Sequence, residues 1–105
     1  MPTSDVGPAL SALADPTRRS IYELIVAEPS SVRRLTDRVG ISQPGVSQHL
    51  RVLRESGLAS AAPKGASTIY SADPAGLDLI RNWMDGLWDH ALDAFVEAAE
   101  QKANR

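Results

Sequence analysis

Ser47, Gln48 and Arg51 sit among apolar residues at helical spacing in the stretch "ISQPGVSQHLRVLRESGL", Ile41 to Leu58. Stepping about 100° per residue from Val46 leaves Leu50 and Leu53 on one side of a helix. Pro44, Ser47, Gln48, Arg51 and Glu55 fall on the other. The polar set has a chemistry in common. An amide can bond adenine in a bidentate way, a guanidinium can bond guanine, and a hydroxyl adapts to several edges. A helix fits the major groove of B-DNA, where each base pair shows its own donors and acceptors. Gly45 leaves room for a phosphate or base edge, or serves a plain turn preference; either must offset roughly 1 kcal/mol of helix propensity against alanine. A solvated surface helix would carry the same residues, so the surrounding elements decide.

Those elements predict a helix-turn-helix. Residues 1–5 read as frayed, and Ala9, Leu10 and Leu13 predict a short first helix ending near Ala14. "DPTRR" starts the second: Asp15 caps free N–H groups and Pro16 suits the first helical position. Its stripe is Ile21, Leu24 and Ile25, and Pro29 ends it near Ala27. Ser30 or Ser31 caps a third helix from about Val32 to Val39, with Val32, Leu35 and Val39 inward and Arg33, Arg34 and Asp37 elsewhere. Gly40 closes it in the left-handed conformation. Ile41 is expected to be buried under the turn, and Ser42 to cap the reading helix, which ends before Gly57. Beyond Leu58, "LASAAPKGASTIYSA" predicts a β-hairpin around "PKGA". That hairpin can lie along neighbouring DNA as a wing with Lys64 at its tip. Arg33 and Arg34 can reach phosphate, contacts that position a protein but read no sequence.

The 105 residues amount to one domain, with 43% apolar residues, two histidines and no cysteine. Disulfides, thiolate metal sites and cysteine nucleophiles are therefore excluded. The absence of an 18-residue apolar run and of a signal peptide predicts a soluble, cytoplasmic protein with no membrane partner. No recurrent catalytic motif is present, and an enzyme is not expected. The net charge of −2 speaks against a nucleic-acid binder, but its distribution does not. Residues 33–64 hold Arg33, Arg34, Arg38, Arg51, Arg54 and Lys64 against only Asp37 and Glu55. The chain on either side is acidic, an asymmetry that can produce a local basic face on an acidic protein; a solvated mixed surface is the alternative.

"DPAG" opens a last helix, capped by Asp73 and running to about Ala99. Leu77, Ile80, Met84, Leu87, Ala91 and Phe95 recur at spacings of three and four, and Trp83, Trp88 and Leu92 widen the stripe. That is more apolar surface than one edge of a small domain covers. The reading is a homodimer, with Leu10, Leu13, Ile80, Met84, Leu87, Trp88, Leu92 and Phe95 at the interface.

At this point the chain resembles the ArsR/SmtB family of bacterial winged-helix transcriptional repressors. "LADPTRRSIYELI" (Leu13 to Ile25), "ISQPGVSQHLRVLRESGL" and the hairpin ending in "IYSAD" carry the resemblance, in order, over nearly the whole chain. It implies a homodimer built on the first and last helices, the helix from Gln43 in the major groove, and operator binding that blocks transcription. Carried onto this chain, the implied DNA contacts are Gln43, Ser47, Gln48 and Arg51, with Lys64 in the wing. The chain departs from the family over metal. Many members bind one through a Cys-x-Cys pair whose matching positions here are Ser31 and Arg33. Others use aspartate and histidines on the last helix, which here holds His90 as its one histidine. His90 with Asp93 or Glu97 is a poor transition-metal site, and a solvated acidic face is the expectation. No cofactor is expected. "LIRNWMDGLWDHALDAF" resembles a metal-free subgroup, switched by an unspecified effector or partner protein.

The expected architecture is mainly α with a small β-hairpin, five helices and a two-stranded wing. A single winged helix-turn-helix domain spans 1–105, with the helix-turn-helix at about 32–56, the wing at about 58–72 and the dimerisation helix at about 74–99. The expected function is a sequence-specific DNA-binding repressor that binds a palindromic operator as a homodimer. The alternative is a winged-helix interaction module or co-regulator with weak or no DNA binding, which the acidic last third favours.

Overall fold

Side-chain oxygens set where the helices begin. The computed structural model describes residues 5–104. The expectation of fraying at residues 1–4 lies outside the described residues, while Asp5 Oδ1 accepts from Gly7 N (2.8 Å) ahead of α1 (Gly7–Ala14). Asp15 Oδ1 accepts from Arg18 N (2.9 Å) and starts α2 (Pro16–Ala27). After a two-residue strand, β1 (Ser30–Ser31), the Ser31 hydroxyl accepts from Arg34 N (3.2 Å) and starts α3 (Val32–Val39). Gly40, at φ +80°, turns the chain, and Ser42 Oγ accepts from Gly45 N (3.2 Å) at the head of α4 (Gln43–Glu55). Each such cap satisfies a donor that the helix leaves open and contributes about 1 kcal/mol.

β2 (Ala59–Lys64) and β3 (Ser67–Ala72) form the hairpin, paired from Ala59↔Ala72 to Lys64↔Ser67. Its two-residue loop puts Gly65 at φ +62°, with glycine first as in type II′ turns that match the strand twist. β1 pairs antiparallel with β3 (Ser30↔Tyr70, Ser31↔Ile69), giving the sheet order β1-β3-β2. The expected two-stranded wing thus gains a third strand, which ties its base to the start of α3.

The core lies where α2, α3 and α4 meet the root of the wing. Ile21, Ile25, Leu35, Val46, Leu50, Leu53 and Leu58 are fully buried there. Ile41 is half-buried rather than buried as expected: it packs against the core from its edge, beside the first turn of α4. Tyr22 is buried too; burial and then the Asp73 carboxylate push its phenol pKa above the ordinary value, and its hydroxyl has no partner among the described residues.

α5 (Pro74–Ala103) begins on the Asp73 cap, where Oδ1 accepts from Ala75 N (3.0 Å). Asp73 N donates to Leu58 O (2.9 Å), so both ends of the hairpin are closed at the root of this helix. Gly76 is buried against Gly57; a Cβ there would fall onto the Gly57 carbonyl oxygen and within 2.9 Å of Leu58 Cδ2. From Arg81 onward every described residue is exposed. The helix therefore projects about 35 Å beyond the core at 1.5 Å per residue, and the molecule measures 69 × 31 × 19 Å. It ends at Ala103 rather than near Ala99, because "EAAEQKA" contains no stop signal.

Candidate nucleic-acid interface

α4 is clamped on one side and free on the other. Val46, Leu50 and Leu53 are buried, while Gln43, Pro44, Ser47, Gln48, Arg51, Arg54 and Glu55 are exposed. A Cβ on Gly45 would sit 3.2 Å from Ser42 Oγ and 3.3 Å from Ile41 Cδ1, close contacts with the ends of two side chains.

Two open grooves flank α4 and join it to the wing. The larger, about 640 Å³, is lined by Ser47, Arg51, Arg54 and Glu55 of α4, by Ala59, Ser60 and Ala61 of β2, and by Tyr70 of β3. The smaller, about 270 Å³, brings Gln43 and Arg33 together with Ser31, Val32, Ala66, Ser67, Thr68 and again Tyr70. Of the residues singled out in the sequence, Ser47 and Arg51 thus share one groove and Gln43 and Arg33 the other. Gln48 stands on the exposed crest, and Lys64 on the last residue of β2, outside both. Arg54, Ser60 and Tyr70 also line the grooves, although the sequence pattern marks none of them as a DNA contact. Tyr70 belongs to both because it pairs with Ala61 on one side and Ser30 on the other.

Among the described residues, Arg51 and Arg34 are paired with carboxylates. Arg51 Nε donates to Glu55 Oε2 (3.2 Å), with 72% and 65% of the two side chains exposed. Arg34 Nη1 donates to Glu28 Oε1 (2.6 Å) in a comparably open pair. Exposed pairs of this kind contribute about 0–1 kcal/mol, so either arginine can be redirected to a polyanion at small cost. Arg33, Arg38, Arg54 and Lys64 have no carboxylate within salt-bridge distance among the described residues. His49 faces away from the exposed crest. It is half-buried, with Nδ1 3.4 Å from Arg18 Nη1, which makes it a packing residue of the helix flank.

Among the described residues no group of three or more histidine, aspartate or glutamate side chains is placed to hold a metal ion, and His90, Asp93 and Glu97 are all exposed. No described helix is long and apolar enough to cross a membrane. Apart from Val26 of α2, the exposed large apolar side chains among the described residues lie on α5: Leu77, Trp83, Met84, Leu87, Trp88, Leu92, Phe95 and Val96.

Comparison with known proteins agrees with this layout. A helix-turn-helix domain family matches residues 13–60. The chain is similar to the HTH-type transcriptional regulator Rv2034 of Mycobacterium tuberculosis, with 36% identity over 96 residues, 91% of this chain and 90% of that protein. It is similar to the transcriptional repressor SdpR of Bacillus subtilis, with 33% identity over 73 residues, 70% of this chain and 81% of that protein. Among solved structures it resembles the homodimeric winged helix-turn-helix DNA-binding domain of Mb0332 from Mycobacterium bovis, a possible ArsR-family transcriptional regulator. The TM-score there is 0.64 at 26% identity, covering 84% of this chain and 78% of that one.

Proposed function

Because the chain belongs to the ArsR/SmtB family of winged helix-turn-helix transcriptional regulators, we propose that it represses transcription by binding a palindromic operator as a homodimer, with α4 in the major groove. The observation that carries this reading is α4 itself. Its inner face is fully buried, so the helix is held rigidly, while Ser47, Gln48 and Arg51 are exposed on the opposite side. Rigid presentation matters because base readout needs donors and acceptors placed within hydrogen-bond tolerance.

Each group has a place in such a complex. Gln48 and Arg51 read base edges, with Ser47 and Gln43 beside them; Glu55 gives up Arg51 to the DNA. Arg33 and Arg54 meet phosphates along the two grooves, Arg34 meets one beside them, and Lys64 carries the same attraction to the wing tip. Phosphate contacts dominate affinity and fix orientation, and base contacts supply discrimination. Two copies joined through the apolar face of α5, with Leu10 and Leu13 of α1 beside it, would present two reading helices to one face of the duplex. Two-fold symmetry then demands a palindromic site with half-site centres about one helical turn apart. Occupying such a site excludes other proteins from it, which is repression by occlusion.

The test is discrimination, not affinity alone. With an operator obtained by selection from random duplexes, Gln48→Ala and Arg51→Ala are each expected to cost about 1–3 kcal/mol of specific over random binding at fixed salt. Both residues are exposed, so the fold should be untouched. Variants that keep wild-type discrimination would show that α4 does not read sequence.

A further inference from the structure

Arg18 joins three helices. Its Nε donates to Ala12 O (2.6 Å) and its Nη2 to Ser11 O (3.4 Å), two carbonyls at the C-terminal end of α1. Arg19 Nη1 adds a bond to Leu13 O (2.8 Å). α1 ends at an Asp-Pro corner with no basic residue in its own last turn, so the head of α2 supplies the donors that its open carbonyls need. Arg18 then reaches further. Its Nη1 lies 3.4 Å from Nδ1 of His49, thirty-one residues on, in α4.

A guanidinium has donors only, so His49 must offer a lone pair at Nδ1. The contact therefore exists only for a neutral imidazole carrying its proton on Nε2. A second proton would set N–H against N–H and put two cations side by side. The charged groups facing His49 are Arg18 and Asp15, both from the α1–α2 corner. α1 has no titratable side chain, and the charged residues of α3 and β2, the other elements packed on α4, are exposed. Asp15 is ionised: above all the Arg18 backbone N–H, against the opposing effect of burial and with help from the Arg18 charge, holds its carboxyl below the ordinary value.

We propose that Arg18 and His49 are positioning residues for DNA recognition: through the neutral His49 ring they lock the reading helix α4 to α1, the helix beside the dimer seam. The inference rests on the DNA reading above and adds a sign to it. Electrostatics alone would make a protonated His49 tighten DNA binding, since one more cation on α4 attracts phosphate. The lock gives the opposite sign, because protonation breaks the contact that ties the flank of α4 to the α1–α2 corner.

The experiment is a titration of the selected operator by fluorescence anisotropy at constant ionic strength, from about pH 8 to about pH 5.5, across the ordinary range of histidine. The full-length protein is used with His90→Gln in every sample, which leaves one titrating imidazole of the two. We expect affinity to fall about tenfold on acidification, the scale of one lost charge-assisted hydrogen bond. His49→Asn keeps an acceptor oxygen near the Nδ1 position and cannot titrate, so its affinity should stay high and flat. His49→Lys should bind weakly at every pH despite its added charge. In DNA-free protein, the nitrogen chemical shifts of the His49 ring should show Nδ1 unprotonated at about pH 8. Tighter binding in acid, an unchanged pH profile in His49→Asn, wild-type affinity in His49→Lys, or a proton on Nδ1 at high pH would each overturn the inference while leaving the DNA reading in place. Absence of duplex binding at every pH would instead remove the DNA reading, and this inference with it.

Discussion

Phe95→Ala separates a dimer from a monomer by the sign of its effect. In the single chain Phe95 is 70% exposed, on a part of α5 that touches no other element. Full burial of a phenylalanine contributes about 1.5–3 kcal/mol, so covering the exposed seven-tenths is worth about 1–2 kcal/mol per copy. A two-fold interface counts every substitution twice. The dimer should then lose about 2–4 kcal/mol, or roughly 30- to 1000-fold in its dissociation constant. In a monomer the ring shares a shallow groove with Trp88, Ala91 and Leu92 of its own helix, of which Ala91 and Leu92 lie one turn away. Such i,i+3 and i,i+4 pairs contribute about 0.2–0.5 kcal/mol, and alanine recovers a similar amount in helix propensity. The monomer would therefore melt at an unchanged temperature. Sedimentation equilibrium and thermal melts over a hundredfold range of protein concentration measure both. A dimer gives melting temperatures that rise with concentration in wild type and fall on substitution. Concentration-independent melts, identical in wild type and Phe95→Ala, would refute the argument from exposed area.

Three further outcomes follow from the geometry. Lys64→Ala should weaken binding to all duplexes alike and lower the slope of log affinity against log salt by about one, since the residue sits exposed at the wing tip; an unchanged slope removes the wing from the interface. Gly76→Ala should destabilise the protein by about 1–3 kcal/mol in urea unfolding, because the added methyl meets the Gly57 carbonyl and Leu58; a stabilised variant would mean that α5 shifts freely on its seat. Zinc and nickel should leave operator affinity unchanged in anisotropy titrations, with calorimetry showing no stoichiometric sub-micromolar site; tight binding that alters affinity would redirect attention to His90, Asp93 and Glu97.

Local chemistry was legible in the sequence wherever one residue type answers one backbone need. Asp15, Ser31, Ser42 and Asp73 each cap the helix that follows, and Gly40 and Gly65 take the positive φ that their turns require. The buried stripe of α4 was legible as well, because three apolar residues on one face of an eighteen-residue motif have little other use. Features that depend on distant partners were not. β1 is two residues long, too short for alternation to register, and pairs with residues nearly forty positions away. Arg54, Ser60 and Tyr70 line a groove only because β2 and β3 fold back beside α4, which no periodicity within either segment reveals. The Arg18–His49 contact is of the same kind. Gly45 marks the limit from the other side: it was noticed, but the Ser42 and Ile41 side-chain ends beside it become visible only with the turn in three dimensions.

The most direct measurement is footprinting of the purified protein on fragmented genomic DNA at nucleotide resolution and physiological salt, with Arg51→Ala in parallel. We expect a limited set of protected sites sharing an inverted repeat, with half-site centres about one helical turn, or a multiple of it, apart, and loss of that pattern in Arg51→Ala. Protection without a shared sequence, or the same sites bound by both proteins, would contradict recognition of DNA through α4.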